Sequence, residues 1–110
     1  MPETDNKLTP GERDVLRIVR QNHMCTQARL TAQLNITQQS ISRIVGALAE
    51  RELIYVGDPI SEGRRGKPSP VLSLHAEAAH AVGISIMTDS VATGLIDFSG
   101  ALLGREVASV

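Results

Sequence analysis

Apolar residues recur at helical spacing through the first half of this chain and gather into short runs in the second. From Thr9 onward, Val15, Ile18 and Val19 fall on one side of a helix. Thr9 and Glu12 have the T-x-x-E form of a capping box, and Pro10 suits the first helical position. Asn22 and His23 suit the end of that helix. Thr26 can cap a second helix over 27–34, with Leu30 and Leu34 facing inward. Asn35 tolerates the left-handed backbone of a tight turn, and Ile36 can plug the corner that follows. Thr37 caps a third helix running to about Glu52. In it Ile41, Ile44, Val45 and Leu48 form one apolar stripe at i, i+3, i+4 and i+7. At about 100° per residue, Gln39, Arg43 and Gly46 point the opposite way, with Gln38 and Ser42 on the flank.

After the helices, Leu53–Val56 and Val71–Leu74 read as two paired strands. The segment between them, roughly 57–70, is punctuated by Gly57, Pro59, Gly63, Gly66, Pro68 and Pro70 and reads as a long loop. Three helices followed by such a ribbon predict a winged helix-turn-helix over residues 9–74, preceded by a flexible terminus at 1–8. Residues 75–110 differ in texture. Glu77–His80 suits a helical turn, and 81–87, 91–98 and 102–107 read as three strands of an antiparallel meander. The expected fold class is α+β. Three strands without a covering helix leave an apolar face bare, so this second unit looks incomplete.

Composition narrows the function. Aromatics make up only 2% of the chain, which argues against single-strand binding on stacking platforms. The net charge of -1 averages unlike halves. Residues 1–70 hold ten Lys/Arg against eight Asp/Glu, whereas residues 71–110 hold one Arg against four acids. The basic excess therefore lies with the helix pair, as a local nucleic-acid patch requires. A single cysteine, Cys25, fits a reducing cytoplasm, and no signal peptide or membrane-length apolar run is visible. The three histidines have no ligand spacing, and no nucleophile, carboxylate pair or phosphate loop stands out. No enzymatic activity, cofactor or metal is expected.

The candidate DNA contacts follow from side-chain chemistry. Gln38, Gln39, Ser42 and Arg43 lie in the first turns of the third helix, and Gln and Arg suit bidentate contacts with adenine and guanine edges. Thr26 and Thr37, at helix N-termini, can donate to phosphates. Arg64, Arg65 and Lys67 sit at the wing tip. There Arg65-Gly66-Lys67-Pro68 resembles the R-G-R-P core of AT-hook peptides, which enter narrow A·T-rich minor grooves. Lys67 stands at the second Arg of that core and lacks its flat fork. Arg13, Arg17 and Arg20 of the first helix read as a solvated face.

The order winged helix, then G-R-x-G-(R/K)-P, then GLIDFSGALLGREV, resembles the ROK family of repressors, open reading frames and kinases. The resemblance covers nearly all of residues 9–110. It implies a sugar-utilisation repressor whose residues 75–110 are the opening strands of an actin-like effector domain. It places a sugar inducer only on a full-length form, and, independently of the resemblance, a helix-turn-helix protein on a two-fold operator is expected to bind duplex DNA as a homodimer. Family kinases carry a D-x-G-G-T phosphate loop after the first strand. The corresponding Ser85–Asp89 stretch lacks that loop's Asp and glycines, which points to a regulator. Two other classes stay open: a fragment of a sugar kinase or sensor, and a winged-helix protein-interaction module.

Overall fold

The computed structural model describes residues 7–61 and 67–109. Helix α1 spans Pro10–Gln21, α2 spans Gln27–Leu34 and α3 spans Gln38–Glu50. Each begins on a threonine that accepts from a backbone amide: Thr9 from Glu12, Thr26 from Arg29 and Thr37 from Ser40. At α1 the capping box is complete, because the Thr9 amide also donates to Glu12 Oε1 at 2.8 Å. Asn35 takes φ 52° and ψ 43° between α2 and α3, the left-handed conformation that a short polar side chain tolerates.

The three helices close on a small sheet. Its strands are β1 (Cys25–Thr26), β2 (Ile54–Ile60) and β3 (Ser69–Leu74), in the order β1-β3-β2, all antiparallel. Val15, Val19, Leu30, Ile41 and Leu48 from the helices are fully buried against Leu72 of β3, with Ile54 of β2 at 2% exposure. Burying each such side chain is worth about 1.5–3 kcal/mol. Gly11 lets α3 approach α1: a Cβ there would stand 3.2 Å from Ile44 Cδ1.

Several local expectations are corrected. Residues 57–60 and 69–70 are strand rather than loop, and Pro59 faces Pro70 across a register shift that follows Val56. Prolines are tolerated there because β1 pairs only with Val71 and Leu72, so β3 has a free edge at residue 70. Ile36 does not plug the corner; it is exposed, while Leu34 packs against the core. Helix α3 stops at Glu50 rather than near Glu52. Glu52 takes φ 58°, its amide donates to Ala49 O, and the Leu53 amide reaches back to Leu48 O, each at 3.0 Å. This is a Schellman ending with a glutamate where glycine is easiest. The flexible segment expected at 1–8 falls, for residues 1–6, outside the described residues.

Beyond the ribbon, a single 3-10 turn (Ala76–Ala78) leads into β4 (His80–Ile86), β5 (Ser90–Asp97) and β6 (Leu102–Ser109). These form the antiparallel meander in sequential order. Val82, Ile84 and Ile86 of β4 are 68%, 66% and 78% exposed, so an apolar face is indeed bare. The β5–β6 turn is held by Asp97 Oδ1, which accepts from Ser99 Oγ, Ser99 N and Ala101 N at 2.6, 2.9 and 3.0 Å. The Ser99 hydroxyl first, then these amides, hold the Asp97 carboxyl below its ordinary range, against partial desolvation.

The second unit meets the winged unit through the His75 amide and the Phe98 side chain, and a further main-chain bond ties the end of β5 to the 3-10 turn within it. The His75 amide donates to Leu53 O and the Phe98 amide to Ala76 O, both at 3.0 Å. Phe98 packs against the helical core. Arg13, Arg17 and Arg20 are exposed, with Arg17 paired to Asp14 at 2.6 Å, but this face is not simply open to bulk solvent. It lines a cleft of about 440 Å³ whose opposite wall includes His80, Ile96 and Phe98.

Replacing Glu52 by glycine is expected to raise unfolding free energy by roughly 0.5–1 kcal/mol, because it relieves a left-handed residue that bears a Cβ. Urea denaturation of Glu52→Gly against the parent chain measures this.

Candidate nucleic-acid interface

The outward face of α3 is set by what its inward face buries. Ile41, Val45 and Leu48 are in the core. The helical pitch then turns Gln39, Ser42, Arg43 and Gly46 to the surface, and all four are exposed. Gln38, in the first turn, is exposed as well. Among the described residues, the side chains of Gln38, Gln39 and Arg43 make no hydrogen bond or ion pair. Their donors and acceptors are therefore available to an outside partner. Neither α2 nor α3 has an acidic residue in its first turn, so the positive ends of both helix dipoles are left uncompensated.

A cleft of about 390 Å³ runs between the start of α2, the start of α3 and the base of the wing. Thr26, Gln38 and Lys67 all line it, so three of the expected site residues come together there. Ser69 ties the wing to this corner: its Oγ accepts from the Ala28 amide at 2.9 Å, across 41 residues of sequence. Gln39, Ser42 and Arg43 lie outside the cleft, along the exposed face of α3. Arg64 and Arg65 lie outside the described residues.

The two threonines differ in their surroundings. Thr37 is exposed, and its hydroxyl donates to Ser40 Oγ at 2.9 Å while accepting from the Ser40 amide. Thr26 is 3% exposed, because it serves as a β1 residue and as the α2 cap at once. Its Oγ accepts from the Arg29 amide at 3.2 Å.

One contributor was invisible to periodicity. Gln27, the first residue of α2, donates from Nε2 to Ser42 Oγ at 2.9 Å and so links the first helix of the pair to the second. The partners are 15 residues apart and no local pattern marks them. Thr31, placed where a small residue is usual, turns its hydroxyl back to Gln27 O at 2.9 Å. Its polar atom is thereby satisfied within α2.

A two-helix corner, an exposed polar stripe and an anchored antiparallel ribbon are thus in place over the first 74 residues. The MarR family model matches residues 6–65, more than half of the chain. The chain belongs to the MarR family. The matched residues are a winged-helix regulator domain of that family, and regulators of this family bind DNA and typically form dimers. A MarR family regulator from Neisseria meningitidis is similar in structure, with a TM-score of 0.49 and 24% identity over 62% of this chain. The match spans 45% of that regulator, so the chain covers less than half of its length. No curated protein matches the chain. Among the described residues of this MarR-family chain, no helix is long and apolar enough to cross a membrane.

Gly46 sits mid-helix on the outward face, and a Cβ there would meet nothing within 4 Å. Gly46→Ala is expected to stabilise the free protein by about 0.5–1 kcal/mol, since alanine loses less backbone entropy on entering a helix. Thermal and urea unfolding of the two proteins give the difference.

Proposed function

We propose that this chain is the operator-reading region of a ROK-type repressor, acting as a homodimer on duplex DNA. Residues 9–74 form its reading domain, and residues 75–110 are the opening strands of an actin-like effector domain. The observation that supports this most directly is the outward stripe of α3, where Gln39 and Arg43 stand exposed and unpaired beside Ser42. Their amide and guanidinium groups match the major-groove edges of adenine and guanine. Gln38, in the first turn of α3, joins these major-groove contacts, and Lys67, which shares its cleft at the wing base, adds a backbone or minor-groove contact. Arg64 and Arg65 extend that basic contact along the backbone or into the minor groove, and Thr26 and Thr37 mark the helix N-termini that face phosphate.

The ROK resemblance assigns the regulated genes to sugar utilisation and places a sugar inducer on a longer form of the protein. The setting is the cytoplasm, and the role is regulatory rather than catalytic. Through its first turns the exposed face of α3 carries Gln, Ser and Arg, with an acidic side chain, Glu50, only at its final residue, which favours DNA over a basic protein partner.

Arg43→Ala is expected to cost about 1–3 kcal/mol of specific affinity and to relax preference at one base position. Lys67→Ala is expected to weaken binding to all duplexes alike and to lower the salt slope by about one. Fluorescence anisotropy with selected and scrambled duplexes, across a series of salt concentrations, separates the two. Binding by the parent chain that shows no salt dependence and no preference between the duplexes would remove this reading.

A further inference from the structure

Ser42 stands on the outward stripe of α3, yet its oxygen is already engaged from the side. Gln27 Nε2 donates into Ser42 Oγ at 2.9 Å. A serine within a helix commonly turns its proton back to the carbonyl four residues earlier. Among the described residues Ser42 makes no such bond; its only side-chain hydrogen bond is the one it accepts from Gln27. A hydroxyl has one proton and two lone pairs, and an N–H filling one lone pair turns the proton away from that donor.

We propose that Gln27 is a positioning residue that sets the polarity of Ser42, so that Ser42 offers its proton outward and selects a hydrogen-bond acceptor on the facing base. This rests on α3 being the groove-reading helix. Guanine presents acceptors at N7 and O6, and thymine presents one at O4; cytosine presents the N4 donor. The base facing Ser42 is therefore one that presents an acceptor there, guanine or thymine (or adenine through N7), in preference to cytosine. Gln27 reaches this position from α2, which makes base choice at α3 depend on a residue of the neighbouring helix.

The polarity can be reversed by chemistry at position 27. Gln27→Lys can only donate to Ser42, whereas Gln27→Glu, ionised at neutral pH, can only accept from it. Selection from a random duplex pool with the parent chain identifies the preferred site. Competition titrations on duplexes differing at single positions then compare the parent with Q27K and Q27E, each also in an S42A background. The parent and Q27K are expected to share a preference for guanine or thymine over cytosine at one position. Q27E is expected to shift that preference toward cytosine by roughly two- to tenfold, the effect of one hydrogen bond. The S42A background is expected to abolish the difference between Q27K and Q27E at that position. The added charges move affinity for every duplex in opposite directions, so they do not imitate a change confined to one base. Superimposable base profiles for the parent and Q27E, or a shift that persists in S42A, overturn the positioning role alone. A parent chain that selects no sequence from the pool overturns the groove-reading assignment as well.

Discussion

The structure depends on burying one stripe of α3. Ile41, Val45 and Leu48 must leave water, and the junction of α1, α2 and β2 offers the surface that takes them. Once they are seated, the rotation of α3 about its own axis is fixed. The opposite face must then carry Gln39, Ser42, Arg43 and Gly46 outward, whatever those residues are. Core packing therefore determines the direction in which the chemistry points, while the outward residues determine what that chemistry is. This separation lets the outward positions vary without disturbing the fold.

The helices were legible because their signals are local. Thr9, Thr26 and Thr37 each announce a helix start, the apolar spacing announces the buried face, and Asn35 announces a left-handed turn. The meander was equally plain in order and direction. What escaped were features made by residues distant in sequence. Cys25 and Thr26 become a strand only because Leu72 and Val71 come alongside them. Pro59 and Pro70 read as breakers, yet they face each other where the neighbouring strand has already ended. Ile36 was expected inside on hydrophobicity alone, but Leu30, Leu34 and Ile41 supply the core at that corner.

The candidate interface divides along the same line. The exposed stripe of α3 follows from helical pitch, so sequence could find it. The buried state of Thr26 does not, because it arises from one residue serving a strand and a helix cap together. Nor could sequence reveal that Ser69 anchors the wing at the start of α2, or that Gln27 reaches across to Ser42. The arginine face of α1 taught a related lesson. Charge marked it as outward, but only the fold brought a second wall opposite it.

The way the meander is attached has a mechanical consequence. His75 bonds to Leu53 O and stacks on Tyr55 with ring centroids 3.5 Å apart, while Leu53 itself closes the end of α3. The second unit therefore meets α3 at its C-terminal end. The exposed stripe of α3 runs away from that end, from Gly46 about 6 Å off to Gln39 about 17 Å off at 1.5 Å per residue. A helix moves as a stiff rod, and this one is also braced along its length by the buried Ile41, Val45 and Leu48. Any load borne by the meander would thus reach the exposed stripe only by shifting those core contacts, which is the geometry of a braced strut rather than of a free lever.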